Sequence, residues 1–358
     1  MKRRTRTMIF QVLALVLVAA LLAGCGGQQI AGTEKPAEEE KVLNVFNWSE
    51  YMPQSVIDKF TAETGIKVNY STYSSQEEML AKLQAAPGSY DLCVASDYMV
   101  EVMTKQGLLE PLKLDKIPNF NNVDPLYRNP PYDPENKYTV PYMWGTVGIA
   151  INTDRVKRPV TSWQDLWDPA FAGKIVMLND ARYCIGATLK SLGYSCNETS
   201  PEALAKAKNK LQELIPKVKA FDSDSPKTLL LNGEAVIGLM WNGETALAQK
   251  ENPAIKYIYP KEGAIRWQDN MAIPKGAKHP ENAMKFMNFI LRGDIGKEIA
   301  EAYPYASPNA ETIKMLPAET RDNPASYAPE AELKKGEFLK DVGEATPEIE
   351  RIWTEVKS

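Results

Sequence analysis

Histidine is almost missing from this chain: His279 is the single one in 358 residues. It lies in Lys278-His279-Pro280, a polar turn before a helical stretch, and reads as a solvated loop residue. With one imidazole, and cysteines only at 25, 93, 184 and 196, the nitrogen and sulfur sets that hold zinc or copper are all but excluded. No metal or cofactor is expected. A Ser-His-Asp triad would have to use His279, and no G-x-S-x-G element accompanies it. A P-loop, a G-x-G-x-x-G after a strand and an S-x-x-K are missing too. Paired carboxylates for glycoside hydrolysis stay open, because 46 acidic residues always offer candidates. A basic excess is also lacking: the formal charge is −4. Setting aside residues 1–24, with Lys2, Arg3, Arg4 and Arg6, leaves 38 basic against 46 acidic side chains, or −8. Such an acidic body argues against nucleic acid and is permissive for a cationic partner.

Long apolar runs are absent with one exception. After Met1-Lys2-Arg3-Arg4-Thr5-Arg6, the segment Met8 to Leu22 is apolar but for Gln11, and it is short for a membrane span of about 20 residues. It ends in Leu22-Ala23-Gly24-Cys25, small residues before a cysteine, as in a bacterial lipoprotein signal. On that reading residues 1–24 are removed and Cys25 is lipidated; an ordinary secretory leader with a coincidental cysteine is the alternative. Residues 25–41 then form a tether rich in Gly, Glu and Lys, without apolar period. The body is expected outside the cell, lipid-anchored, in the periplasm or on the outer face of the cytoplasmic membrane. Cys93, in Leu92-Cys93-Val94-Ala95, reads as a small buried hydrophobe. Cys184 and Cys196 are expected to stay unpaired. A helix from Arg182 to Leu192 would hold them more than about 13 Å apart at 1.5 Å per residue, and a disulfide needs Cα atoms within about 7 Å.

What remains is a body long enough for two domains of roughly 150 residues, with strand and helix alternating along it. Val42 to Phe46 reads as a strand, followed by Pro53, a helix to Thr64 and a stop at Gly65. Ile66 to Tyr70 alternates as a half-buried strand, Glu77 to Ala86 is helical, and Tyr90 to Ala95 is a third strand. Further on, Val147–Ile151, Lys174–Leu178, Ala235–Trp241 and Ile255–Tyr259 read as strands. Pro201–Val218 reads as a long polar helix and Asn282–Leu291 as an amphipathic one; Ala264 to Ile273 is left without an element. This order predicts two α/β lobes, each a mixed, mainly parallel sheet flanked by helices, with a ligand cleft at the carboxyl ends of the strands.

Particular residues carry a resemblance. Phe46-Asn47-Trp48-Ser49-Glu50-Tyr51 resembles the opening of the spermidine/putrescine-binding proteins of ATP-dependent transporters. The likeness continues through Thr64 to Val68, Tyr90-Asp91-Leu92, Ser96, Tyr98, Pro141 to Gly145, Thr161 to Trp167 and Asp180-Ala181-Arg182. It then runs through Trp241-Asn242-Gly243, Pro260 to Gly263, Trp267-Gln268-Asp269 and Tyr305 to Asn309, nearly the whole body in order. The resemblance implies a two-lobed, periplasmic-binding-protein-like fold of type II. One lobe would comprise about 42–148 and 271–318, the other 149–270 and 319–358. It also implies a monomeric receptor that closes on its ligand by a hinge and delivers it to a permease with ATPase subunits.

The chemistry of such a ligand fits the residues. A polyamine is an apolar chain carrying ammonium groups, and burying each without a partner costs several kcal/mol. Flat aromatic walls suit the methylenes and attract cations by roughly 0.5–2 kcal/mol each. Trp48, Tyr51, Tyr98, Trp241, Trp267 and Tyr305 could build that box, although an aromatic taken alone is more often core. Asp180 and Asp269 could supply charge, with Ser49, Ser96 and Ser223 as hydroxyl partners or simply as turn and cap serines. Two positions depart from the family: Tyr183 stands where relatives carry a carboxylate, and Leu339 where the spermidine binder has an amide. Asp97, beside Ser96, offers a replacement charge. The expectation is therefore a polyamine receptor with odds shifted toward a diamine or a bulkier organic cation. A receptor for another cation, in transport or sensing, and an extracellular hydrolase are the alternatives.

Overall fold

β1 (Val42–Trp48) opens the folded body, and its side chains from Leu43 to Asn47 are mostly buried. A computed structural model describes residues 39–358, of which Glu40–Ser358 form one unit. The leader, Cys25 and nearly all of the tether lie outside the described residues. After β1 comes α1 (Gln54–Thr64), closed by Gly65 at φ 71°, the left-handed cap that a missing Cβ makes cheap. β2 (Lys67–Tyr73), α2 (Gln76–Ala85), β3 (Leu92–Ser96) and α3 (Asp97–Lys105) follow. β1 pairs in parallel with both β2 and β3, as two helical crossovers require.

β4 (Thr139–Asn152) is buried along its whole length. Beyond it lie β5 (Ile175–Met177), α4 (Ala181–Ser191), α5 (Pro201–Leu214) and β6 (Val218–Phe221). Then come α6 (Lys227–Leu231), β7 (Ile237–Trp241), α7 (Asn242–Glu251), β8 (Ile255–Ile258) and β9 (Ile265–Ala272). The chain ends with α8 (Pro280–Ile290), α9 (Gly293–Ala302), α10 (Ala310–Met315), α11 (Ala318–Arg321), α12 (Glu330–Lys335), β10 (Glu337–Phe338) and α13 (Thr346–Lys357).

The sheet order β2-β1-β3-β9-β4-β7-β5-β6 explains the two lobes. Parallel β1, β2 and β3 make one half; parallel β5, β6 and β7 make the other. Between them run antiparallel β9 and β4. β9 pairs with β3 at Asp269 to Ala272 and with β4 from Ile265 to Ala272, while β4 reaches β7 from Val147 to Ile151. These two strands therefore tie the halves together, and the carboxyl ends of β1, β3 and β7 converge beside them.

Several expectations change. The strand expected at Val147–Ile151 is the last part of a much longer one, and Ala264–Ile273, left without an element, contains β9. The long helix expected to Val218 stops at Leu214; Pro216 sits in a 3₁₀ turn and Val218 already belongs to β6. His279 is buried, not solvated: its Nδ1 lies 2.9 Å from Asp91 Oδ2, and Asp91 also accepts from the backbone N–H groups of Asn44, Lys278 and His279. Burial raises the Asp91 pKa, but His279 and these backbone donors outweigh it and leave the carboxyl below its usual range. The pair thus pins the entrance of α8 to β1. Cys93 is buried, as expected; Cys184 and Cys196 are buried too, and all three thiols are free. Among the described residues no helix is long and apolar enough to cross a membrane, and no group of three metal-ligating side chains forms.

Candidate functional site

The strand ends assemble one pocket of about 430 Å³, counting the space at its mouth. β1 delivers Trp48, and the bend after it delivers Ser49, Glu50 and Tyr51. β3 ends at Ser96 and β7 at Trp241; β9 contributes Trp267 and Asp269, two residues apart and so on one face. Ser223 and Asp224 come from the loop after β6, Tyr183 from the first turn of α4, Glu244 from the first turn of α7, and Tyr305 from the loop after α9.

The rings meet at steep angles. Trp241 is 6.1 Å from Trp48 and 6.4 Å from Trp267, and Trp267 is 5.4 Å from Tyr305, centre to centre. Tyr183 stands edge-on to Trp241 at 4.8 Å, as Tyr51 does to Tyr305 at 5.2 Å. Tilted and edge-to-face contacts hold such a box rigid without collapsing it into a stack. The Trp241 indole is further fixed by donating to the Ser223 carbonyl oxygen at 3.1 Å.

Asp269 is the buried charge of the box. β-sheet register sets Ser96 opposite it, and Ser96 Oγ donates to Oδ1 at 2.6 Å while the Tyr51 hydroxyl donates to Oδ2 at 2.8 Å. Burial pushes its pKa up to about 6, and the Ser96 and Tyr51 hydrogen bonds keep it from rising further. Each oxygen keeps accepting capacity for a donor in the pocket.

Three further acids of the pocket lining were not among the sequence-derived candidates. Glu50 was inside the quoted motif, Asp224 adjoins Ser223, and Glu244 follows Trp241-Asn242-Gly243 by one residue. Asp224 accepts from the hydroxyls of Ser49 and Ser74. Glu244 is buried, which pushes its pKa up to about 7 against the pull of Lys227. The signal that could have found it was its place in the helical turn just past a strand end.

Asp97, Tyr98 and Asp180 do not line this pocket. Asp97 and Tyr98 border a second groove together with Trp144, Gln268 and Leu339. Asp97 Oδ1 accepts from the Tyr98 N–H at 2.8 Å, and its Oδ2 is buried without a partner. The Tyr98 hydroxyl donates to Glu77 at 3.0 Å, under the Arg182 guanidinium. Asp180 caps α4 by accepting from the N–H groups of Arg182 and Tyr183, and burial raises its pKa. A capping carboxylate is spent on the helix's first turn.

A pocket at converging strand ends, between halves joined by two crossing strands, is the arrangement of a solute receptor. Residues 55–329 match the family described as bacterial extracellular solute-binding protein. The chain belongs to that family. Among its relatives, the spermidine/putrescine-binding periplasmic protein of Escherichia coli K12 is 40% identical over 339 residues, covering 94% of this chain and 97% of the relative. The putrescine-binding periplasmic protein SpuD of Pseudomonas aeruginosa is 33% identical, covering 96% of this chain and 97% of its own. The solved structure of the spermidine/putrescine transporter substrate-binding protein PotD of Streptococcus pneumoniae superposes with a TM-score of 0.73 at 34% identity, covering 88% of this chain and 98% of its own. The PotD lipoprotein of Treponema pallidum gives 0.78 at 29% identity, covering 88% and 99%. The fold is that of a two-lobed, type II periplasmic binding protein.

Proposed function

We propose that this chain captures a small aliphatic polyamine in the Asp269 pocket and hands it to the permease of an ATP-driven importer. The observation that carries the reading is a buried carboxylate, hydrogen-bonded by Ser96 and Tyr51, inside a box of Trp48, Trp241, Trp267 and Tyr305. An ammonium group answers the charge and methylenes answer the rings. The names of the relatives from Escherichia coli and Pseudomonas aeruginosa point to the same ligand class. Ser49, Ser223 and Tyr183 complete the walls, while Asp97 and Tyr98 border the other groove and Asp180 caps α4.

On this reading the protein is a monomer that catalyses nothing. One lobe comprises about 42–148 and 271–318, the other 149–270 and 319–358, and they close by bending β4 and β9. Cys25 carries the lipid that anchors the exported protein through the 25–41 tether, a reading supported by the Treponema pallidum relative, itself a lipoprotein. A calorimetric titration of the mature chain with putrescine, cadaverine, spermidine and spermine tests the ligand class. At least one amine should bind in the micromolar range or tighter; binding of neutral sugars or anions alone would overturn the reading.

A further inference from the structure

One ammonium group of the protein pairs with two carboxylates of the pocket from behind its wall. Lys227, the first residue of α6, places its Nζ 3.0 Å from Glu244 Oε2, 3.3 Å from Glu244 Oε1 and 2.9 Å from Ser225 Oγ. The same Nζ also donates to Glu50 Oε2. Glu244 and Glu50 both line the pocket, and the lysine reaches them from outside its wall. The lysine side chain is only 13% exposed and that of Glu244 only 2%. Glu50 holds φ at 47°, a left-handed value that costs a residue with a Cβ on the order of 1 kcal/mol, and its side chain is 41% exposed. Burial disfavours the lysine's charge, but Glu244 and Glu50 outweigh it and raise its pKa, so Lys227 is an ammonium at neutral pH.

The charge count follows. Lys227 offsets one full charge of the Glu50–Glu244 pair, and Glu244, pushed up to about 7 by burial, carries only part of the other at neutral pH. Asp269 and Asp224, the other two carboxylates of the pocket, are bonded by hydroxyls and pair with no basic side chain among the described residues. We propose that Lys227 is a built-in counter-cation that sets the number of ammonium groups in the ligand, matching the pocket to a diamine and turning away a third ammonium at the Glu50–Glu244 end. The inference rests on the polyamine reading above and adds a residue that decides among polyamines. A triamine reaching that end would meet a like charge held in place by two carboxylates, and would have to displace it or stay unpaired.

Titrating putrescine and spermidine into the full mature chain and its variants tests this. The unaltered chain should prefer putrescine. Lys227→Met keeps the apolar stem and frees both carboxylates, so the spermidine-to-putrescine affinity ratio should rise by about tenfold or more, the scale of one charge-assisted hydrogen bond. Lys227→Arg should leave the ratio unchanged. Glu244→Gln leaves the lysine with Glu50 as its one carboxylate partner, so its charge is less offset and the ratio should move the other way, which keeps the test open if the methionine variant folds poorly. A ratio that moves less than twofold in both the Met and the Gln variants overturns the role of Lys227. Loss of binding to every amine in the unaltered chain overturns the polyamine reading first, and this inference with it.

Discussion

Asp269 couples the site to pH. Its folded-state pKa of about 6 lies above the roughly 3.9 of a free aspartate, so between those values the folded chain binds more protons than the unfolded one. Ligand-free stability therefore falls as pH rises through that window, because the buried carboxylate becomes charged without a counter-ion. A bound ammonium supplies one and holds Asp269 ionised. Amine affinity should accordingly fall as pH drops below about 6, by up to about tenfold per unit; titrations at pH 7.5 and 5 check it. Asp269→Asn keeps the shape and removes the charge, and should weaken the best amine by about tenfold or more. Affinity within twofold of the unaltered chain would mean that the anchor lies elsewhere. Asp269 was legible in the sequence because Trp267-Gln268-Asp269 has a family signature. Glu244 was not, since its meaning comes from Lys227, 17 residues upstream, and from Glu50, 177 residues from that lysine. Nor could the sequence reveal that Asp180 is taken up in capping α4.

Local signals made β1, α1 and Gly65 readable, while the two crossing strands hid. β9 reads Ile265-Arg266-Trp267-Gln268-Asp269-Asn270-Met271-Ala272, with polar side chains on both faces, because each face borders a groove. Periodicity recognises a strand with one wet face or two dry ones, and β9 is neither. In β4, Pro141, Gly145 and Gly148 look like breakers; the proline sits beside a break in register between Pro141 and Met143. Gly145 is there for space. A Cβ at that position would come within 2.2 Å of Asn242 Oδ1 and 2.6 Å of the Trp267 ring. Gly145→Ala should therefore cost about 1–3 kcal/mol of stability, read as a lowered urea midpoint, and should weaken amine binding by displacing Trp267. An unchanged midpoint would show that β4 and the Trp267 wall are not tightly packed.

At the scale of the whole molecule, the two lobes could be read from the repeated strand–helix order and crossover strands from the family resemblance, but which strands join the lobes could not. The walls of the pocket touch in this structure. Ser49 and Ser74 reach Asp224, Glu50 reaches Lys227, and on the far side Lys105 contacts Asp341 at 2.8 Å. The exposed pairs among these contribute about 0–1 kcal/mol each, too little to hold the lobes shut alone. A ligand bridging Asp269 and the opposite wall would add the missing attraction, and β4 and β9 would bend to admit it. Small-angle scattering of the mature chain, with and without saturating putrescine, tests the account most directly. The account predicts a smaller radius of gyration with putrescine and no change for Asp269→Asn at the same concentration. An identical radius with and without bound ligand in the unaltered chain would contradict it.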